Sequence, residues 1–261
     1  MTFGQRILLA VPHPDDEVVA CAAALQRASS AGAKVFALYL THGCIAQDVM
    51  WLWQRKNYAA IVARRRAEAE HVAHALNIEP VGWSQRPARF LWQQMSAVRD
   101  EIQTAIKTHD IDQLWVPAYE GGNPDHDAIN AIGQVFKPNL SVLEFAEYNF
   151  ADGKPNSNQF PQANGTEQIV ELNAEERRAK QYALALYISE KSNLSYVKTE
   201  RECFRPLANY DYSRAPHPGK LWYNRFQWVP FRHPRVDFTR PADVTNSILQ
   251  FLEHFIVSPP P

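Results

Sequence analysis

The sequence predicts an α/β protein built on a mostly parallel β-sheet flanked by helices. Two observations support this fold class: short apolar runs with the length of strands recur through the first half, and helical patterns separate them. A chain of 261 residues can bury a large core in one domain. We therefore expect a single domain over 1–261, with the α/β core over 1–150 and an irregular C-terminal elaboration over 151–261.

Five apolar runs in the first half are predicted to be strands. Continuous apolar runs of this length are typical of strands buried in a sheet. The runs cover 7–11, 35–40, 81–83, 114–116 and 140–145.

The segments between these runs carry helical signals. The first helix begins near Asp16 and ends at Gly32, a residue type that commonly ends helices. Apolar residues at helical spacing predict three more helices, over 55–76, 91–106 and 126–136. Alternation of strands and helices implies right-handed crossovers, and therefore parallel strands.

The second half of the chain is less regular. Residues 151–166 are rich in Asn, Gly, Pro and Gln, which favours a surface loop. Asn173 and Glu176 form a predicted capping pair at the start of a helix that ends near residue 187. Residues 203–235 are dense in aromatic residues, Pro, Arg and His without a clear period, and Pro241 opens a last helix. We expect this half to form part of the wall of a ligand site.

The composition excludes several classes of protein. The formal net charge of −1 gives no overall field that would favour nucleic acid or an anionic membrane, and the run 64–66 of three arginines is expected on one solvated helix face. We find neither a targeting segment nor an apolar stretch long enough to cross a membrane. Cys21, Cys44 and Cys203 are widely spaced, so we expect three reduced cysteines in a cytoplasmic protein.

The first chemically informative cluster is His13-Pro14-Asp15-Asp16-Glu17, directly after the first predicted strand. Ligands of parallel sheets bind beyond the carboxyl ends of the strands. His13 and Asp16 can bind one cation from such a turn, and imidazole with carboxylate suits zinc. Asp15 can then take a proton from a water that the cation activates. The alternative is an acidic helix start, which accounts for one or two of the carboxylates.

The second cluster, residues 120–126, follows the fourth predicted strand. Its two glycines permit a tight turn and close approach of the backbone to a ligand. His126 can supply a third zinc ligand, and three protein ligands with one open position are what catalytic zinc requires. Asp125 can orient a ligand or a neighbouring imidazole. By itself, His126 is more simply explained as a residue at the start of a helix.

Together the two clusters resemble the motifs of the N-acetylglucosaminyl-phosphatidylinositol de-N-acetylase family, also called PIG-L or LmbE-like. The first family motif, P/A-H-P-D-D-E, is matched by residues 12–17, and the second, H-P-D-H or H-x-x-H, by residues 123–126. The segments 66–68 and 210–219 and Tyr223 resemble further parts of the family.

The resemblance implies a Rossmann-like fold and metal-dependent hydrolysis of an acetamide on a sugar. It implies that zinc, or another divalent metal, is held by His13, Asp16 and His126, and that Asp15 is the general base. The expected ligand is a small N-acylated sugar or glycoconjugate. The sequence leaves open which acylated amine is the substrate and whether the chain forms oligomers.

One position departs from the family pattern, because Asn123 stands where the family usually has histidine. Asparagine can donate a hydrogen bond to an oxyanion but cannot act as a general acid. The enzyme is then slow, or His217, His42 or protonated Asp15 supplies the proton, or the protein binds metal and glycan without turnover. The last alternative describes a catalytically impaired metal- and glycan-binding protein.

Four further residues are predicted to contact substrate. The resemblance makes Arg66 a candidate, and Trp53 lies with Trp51 in the loop after the second strand, at the expected edge of the site. His217 and Asp125 complete this set.

Overall fold

The structure, a computed structural model, describes residues 1–231 and 233–257; residues 232 and 258–261 of the predicted C-terminal elaboration lie outside the described residues. The strands are β1 (Arg6–Val11), β2 (Lys34–Tyr39), β3 (Glu79–Trp83), β4 (Gln113–Pro117), β5 (Ser141–Phe145), β6 (Tyr148–Asn149), β7 (Asn156–Ser157), β8 (Gln168–Glu171) and β9 (Arg201–Pro206). The α-helices are α1 (Asp16–Ser30), α2 (Leu52–Arg55), α3 (Tyr58–Ala75), α4 (Met95–Thr108), α5 (Pro124–Phe136), α6 (Ala174–Leu186) and α7 (Pro241–Leu252).

A seven-stranded sheet in the order β3-β2-β1-β4-β5-β9-β8 forms the centre of the protein. The first five strands in this order are mutually parallel, whereas β9 pairs antiparallel with β5 and with β8. The prediction of an α/β fold with a mostly parallel, Rossmann-like sheet is confirmed. The carboxyl ends of β1 and β4 are adjacent, because these two strands pair directly.

Helices cover both faces of the sheet. One apolar core lies between the sheet and α1, α3 and α6, and the other between the sheet and α4, α5 and α7. Alternate residues of β1 enter the two cores, Leu9 on one side and Leu8 on the other. Strands buried on both faces read as continuous apolar runs, which is why the sequence revealed them.

The sheet extends beyond the first 150 residues, because it includes β8 and β9. These two strands were not predicted. Their physical signal was weak because β9 buries charged side chains. Glu202 is buried in an ion pair with Lys180 at 2.9 Å, and Arg205 pairs with Glu144 at 2.6 Å. Paired charges inside the protein replace the apolar residues that a pattern search requires.

Two other predictions need correction. The helix expected over 55–76 is α3, which begins three residues later, at Tyr58, because Arg55 ends the separate short helix α2. The loop expected over 151–166 contains the strand β7, which pairs antiparallel with β6. The predicted capping pair is confirmed, because the side chains of Asn173 and Glu176 both bond to backbone N–H groups at the start of α6.

Across residues 1–231 and 233–257, the helices lack the combination of length and apolar composition that crossing a lipid bilayer requires.

Candidate active site

Three side chains from two loops converge where β1 and β4 end. His13 lies in the turn after β1, Asp16 begins α1, and His126 lies in the first turn of α5. Asp16 Oδ2 is 3.3 Å from both His13 Nδ1 and His126 Nε2, and the two ring nitrogens are 3.2 Å apart. All three side chains are buried, so the atoms face one another in a space with little access to bulk water.

The spacing of these atoms fits one small divalent cation. Ligand atoms about 2.0–2.1 Å from a tetrahedral zinc ion lie roughly 3.3 Å from each other. Two imidazoles and a carboxylate are typical zinc ligands and leave a fourth position for a reactant. The donor set therefore suits a catalytic zinc ion or a similar metal.

The cluster also favours positive charge electrostatically. Burial opposes protonation of His13, yet the carboxylates of Asp16 and Asp125 raise the pKa of its imidazole to about 10. Burial favours the neutral form of Asp16, but His126 and His13 outweigh it and hold the pKa of that carboxyl well below its usual range. A cation placed among these three side chains would be stabilised by the same field.

Carboxylates behind the two imidazoles orient the rings. Asp125 accepts a hydrogen bond from His13 Nε2 at 3.0 Å and also from the backbone N–H groups of Arg89 and Leu91. On the other ring, Glu147 Oε1 lies 3.8 Å from His126 Nδ1. Each carboxylate faces the ring nitrogen that points away from the cluster, which leaves the other nitrogen directed at a metal.

Glu147 is fully buried, and neither of its carboxylate oxygens has a hydrogen-bond partner among the described residues. The same holds for His126 Nδ1, the atom that faces it. Burial, with the nearby charge of Asp16, raises the pKa of Glu147 well above its ordinary value. Two unpartnered polar groups facing each other indicate a contact made for the function of His126.

Asp15 lies beside the triad in a strained backbone conformation, with φ of 135°. Its amide N–H donates to the Glu17 carboxylate at 3.0 Å, and Arg65 Nη2 donates to Asp15 Oδ2 at 2.7 Å. Burial raises the pKa of Asp15 to about 6, although Arg65 acts in the opposite direction. Strain held by two such contacts is common at functional sites.

Two glycines permit the close packing around these groups. At Gly43, with φ of 73°, an added Cβ would lie 2.9 Å from Arg65 Nε. At Gly122 it would lie 2.3 Å from the backbone oxygen of Tyr148. Larger residues at either position would displace Arg65 or the second motif loop.

Asn123 is the N-cap of α5. Its Oδ1 accepts from the N–H of Asp125 at 2.9 Å, as a capping side chain does. The cap uses the amide oxygen, so the Asn123 Nδ2 group is the part of the side chain that can donate toward a ligand. The residue thus has a structural role that does not exclude a catalytic one.

A cleft of about 690 Å³ opens in front of the triad. We call its two sides the inner wall, formed by lining residues within 13–16, 43–45 and 122–123, and the outer wall, formed by lining residues within 190–196, 222–226 and 234–237. The irregular second half of the chain therefore lies against the predicted site. Trp51 lines the cleft between the two walls.

The structure does not place the four predicted substrate contacts in the cleft. Arg66 is on the exposed face of α3, where it pairs with Glu70 at 2.9 Å. Trp53 is 65% exposed and stacks on Trp51, which alone of the two lines the cleft. Asp125 is fully buried behind His13, so it orients a ring instead of binding substrate.

Of the three proposed proton donors, the structure places two outside the cleft lining. His217 is buried with Nδ1 against the Pro218 carbonyl, and His42 contacts Tyr58 and the Cys44 amide. Neither histidine is among the cleft-lining residues, whereas Asp15 is. Both histidines also lie outside the loops at the carboxyl ends of β1 and β4.

Arg65 is the arginine that the sequence reasoning missed by one position. It is 2% exposed and contacts Asp15 and Glu190, so the run 64–66 is not one solvated face. The buried apolar face of α3, which includes Ala69 and Val72, is the sequence signal that could have identified Arg65. Extending that face back by four residues from position 69 reaches 65 and not 66.

Comparisons with known proteins agree with this geometry. Residues 8–136 match the family model described as GlcNAc-PI de-N-acetylase, PIG-L. No curated protein sequence matches the chain.

Several solved structures share the fold at low sequence identity. A deacetylase of the teicoplanin biosynthesis pathway superposes with a TM-score of 0.63 at 19% identity, covering 79% of this chain and 99% of that chain. The zinc-inhibited form of a teicoplanin deacetylase gives a TM-score of 0.58 at 19% identity, with the same coverage. The N,N'-diacetylchitobiose deacetylase from Pyrococcus horikoshii gives 0.56 at 17% identity, covering 77% of this chain and 83% of that chain.

Proposed function

Because the chain belongs, through residues 8–136, to the PIG-L family of GlcNAc-PI de-N-acetylases, it is a metal-dependent N-deacetylase, and we propose that it hydrolyses the N-acyl group of an amino sugar with zinc as its metal. The observation that carries this proposal is the spacing of 3.2–3.3 Å between His13 Nδ1, Asp16 Oδ2 and His126 Nε2.

These three side chains would hold the metal. When bound, zinc supplies a Lewis acid that polarises the acyl carbonyl and lowers the pKa of a water to about 7. Asp125 and Glu147 hold the two imidazoles in the orientation that presents one nitrogen each to the centre of the cluster.

Asp15 is the proposed general base. Its carboxylate lines the cleft beside Asp16, and Arg65 holds it at 2.7 Å and favours its ionised form. In that form it takes the proton from the attacking water as the C–O bond to the acyl carbon forms. The raised pKa makes the same group able to return this proton to the amine when the C–N bond breaks.

Asn123 is the proposed donor to the oxyanion that develops on the acyl oxygen. It lines the cleft together with Asp15, and it is the N-cap of α5, the helix that carries His126. A side-chain amide can stabilise an oxyanion by about 2.7–4 kcal/mol in other hydrolases. Since Asn123 carries no acidic proton, the proposal assigns both proton transfers to Asp15.

A sugar ring fits the remaining surface of the cleft. Tyr148, Tyr196 and Trp222 pack against one another with ring centroids 5.2–5.5 Å apart, and all three line the cleft. Aromatic rings with a polar edge bind the apolar faces of sugars. The diacetylchitobiose deacetylase among the solved structures acts on such a sugar, which supports this substrate class.

The experiment measures free amine and acetate from N-acetylglucosamine and N,N'-diacetylchitobiose. Metal-free protein receives zinc from below one equivalent to excess, because a related deacetylase has a zinc-inhibited form. We expect turnover that follows the first equivalent and is lost in Asp15→Asn. Undiminished turnover in Asp15→Asn, or turnover independent of metal, would contradict the mechanism.

One alternative has its own signature in this assay. If the protein binds zinc and sugar but releases no amine, and Asn123→His restores release, then the chain is an impaired metal- and glycan-binding protein. The motif position of Asn123 is the observation that favours this alternative.

A further inference from the structure

The outer wall presents Arg225 to the cleft. The segment that carries it is held against the second motif loop, because the Trp222 N–H donates to the Gly121 carbonyl at 2.8 Å. Leu221 packs against the same glycine, where an added Cβ would lie 2.7 Å from its side chain. Arg225 is therefore held in a fixed position relative to the metal ligands.

The guanidinium of Arg225 is stacked between aromatic rings. Its Cζ lies 3.7 Å from the ring centroid of Trp222 and 4.7 Å from that of Phe226. Nη1 donates to the Trp222 carbonyl at 2.7 Å, which uses one of five N–H groups. Stacking fixes the plane of the fork, while the other N–H groups stay available for a ligand.

Two other arginines of the cleft are paired with carboxylates. Arg65 contacts Asp15 and Glu190, and Arg89 lies 3.5 Å from Asp237. Among residues 1–231 and 233–257, no carboxylate lies within ion-pair distance of Arg225. The half-buried guanidinium is thus a cation without an anion, and burial lowers its pKa.

We propose that Arg225 forms an anion subsite and that the preferred substrate is an N-acyl amino sugar carrying a carboxylate or a phosphate. This inference rests on the proposed function for the position of the acyl group. A series of aromatic rings connects the metal site to Arg225. The ring centroid of Tyr148 lies 5.7 Å from that of His126 and 5.2 Å from that of Trp222, and Arg225 stacks on Trp222. One molecule can therefore contact the metal site, the aromatic rings and Arg225 together.

Arg235 is exposed and also lines the cleft. Like Arg225, it forms no ion pair within the described part of the chain. A planar guanidinium binds carboxylate and phosphate oxygens with two parallel hydrogen bonds. A second cation nearby strengthens the attraction and makes it sensitive to salt.

The test compares N-acetylglucosamine with N-acetylglucosamine 6-phosphate, N-acetylglucosamine 1-phosphate and N-acetylmuramic acid. The three acids place a phosphate or a carboxylate at different positions of the same sugar. Dissociation constants are measured by calorimetry on the zinc-loaded protein and kcat/KM by amine release, for the wild type, Arg225→Gln and Arg225→Lys. The control is Arg214→Gln, since Arg214 is exposed and lies outside the cleft lining.

We expect the wild type to bind at least one acid about 10- to 100-fold more tightly than N-acetylglucosamine, the range of charge-assisted hydrogen bonds. Arg225→Gln should remove that preference, Arg225→Lys should restore part of it, and Arg214→Gln should keep it. The position of the favoured group, and phosphate against carboxylate, then identifies the substrate class.

The experiment distinguishes failure of the anion subsite from failure of the proposed hydrolysis. If the acids bind through Arg225 but no sugar releases amine, the subsite stands and the proposed hydrolysis is wrong. If neutral and acidic sugars are bound and hydrolysed equally well, and equally by wild type and Arg225→Gln, the subsite is wrong although the enzyme is a deacetylase. A preference for acids that survives in Arg225→Gln also overturns the proposal.

Discussion

The two walls of the cleft are built in different ways. The inner wall consists of loops at the carboxyl ends of β1, β2 and β4, and its charged side chains, His13, Asp15 and Asp16, are buried and bonded to neighbouring groups. The outer wall comes from irregular chain after α6, and it presents aromatic rings and arginines that are partly exposed. We therefore propose that the inner wall carries the reaction and the outer wall selects the substrate.

The difference follows from how each wall is supported. Adjacent parallel strands fix where the two motif loops meet, so the inner wall is positioned by the sheet itself. The outer wall depends on a few contacts, such as the Trp222 N–H to the Gly121 carbonyl. Variants of the inner wall should therefore reduce kcat, and variants of the outer wall should change KM between substrates.

The largest effect is expected for Asp15→Asn. The amide cannot accept the proton of water, so kcat should fall by about 10²- to 10⁴-fold while zinc still binds. Single-turnover kinetics with parallel metal analysis would measure both. Asp100→Asn, on the surface of α4, is the matched control. Loss of zinc together with activity would mean that Asp15 supports the metal instead of the proton transfer.

The next largest effect is expected at Asn123. Asn123→Asp keeps an oxygen for the cap of α5 but removes the amide donor, so kcat should fall by about 10²- to 10³-fold with little loss of stability. Asn123→Ala removes both and should also cost about 1 kcal/mol of unfolding free energy. Urea titration and kcat together separate these roles. Equal kcat in Asn123→Asp and wild type would remove Asn123 from the mechanism.

A smaller effect on metal affinity is expected for Glu147→Gln. The carboxylate facing His126 Nδ1 orients the ring, and replacing such partners typically costs about 10- to 100-fold in metal affinity. Zinc competition with a chromophoric chelator measures this. Glu144→Gln is the control from the same segment, because Glu144 pairs with Arg205 away from the metal ligands. A Glu147→Gln protein with wild-type zinc affinity would show that the Glu147 carboxylate does not support metal binding by His126.

The smallest effect is a shift in pH dependence when Arg65 is changed. Arg65 lowers the pKa of Asp15, which burial raises to about 6. Removing the cation in Arg65→Met leaves burial unopposed, so Asp15 stays protonated to higher pH and the acid limb of kcat/KM moves upward. Arg66→Met, one residue along the helix, should leave the profile unchanged. An identical shift in both variants would indicate a general change of surface charge.

More of the inner wall than of the outer wall could be predicted from the sequence, for physical reasons. Apolar runs and helical spacing defined the parallel strands, and ligand loops follow the ends of such strands. This pattern placed His13, Asp16 and His126 near the ends of two adjacent strands.

The rest of the site and of the sheet could not be predicted, because its sequence signals are weak or have no period. Successive helix positions turn by about 100°, so exchanging position 65 for 66 moves a side chain from the cleft to solvent. β9 was hidden by its buried ion pairs, in which Glu202 and Arg205 occupy interior positions. The outer-wall segments 222–226 and 234–237 follow no repeat, and the contact of Trp222 with Gly121 helps to position the first of them.

The central claim is that the imidazoles of His13 and His126 and the carboxylate of Asp16 hold a single divalent ion. Equilibrium dialysis of the folded, metal-free protein against zinc tests it most directly, with His126→Ala as the comparison. We predict one tightly bound equivalent in the wild type and its loss in His126→Ala. The account would be contradicted by a wild-type protein that is folded yet binds no zinc or other divalent metal, or by unchanged binding in His126→Ala.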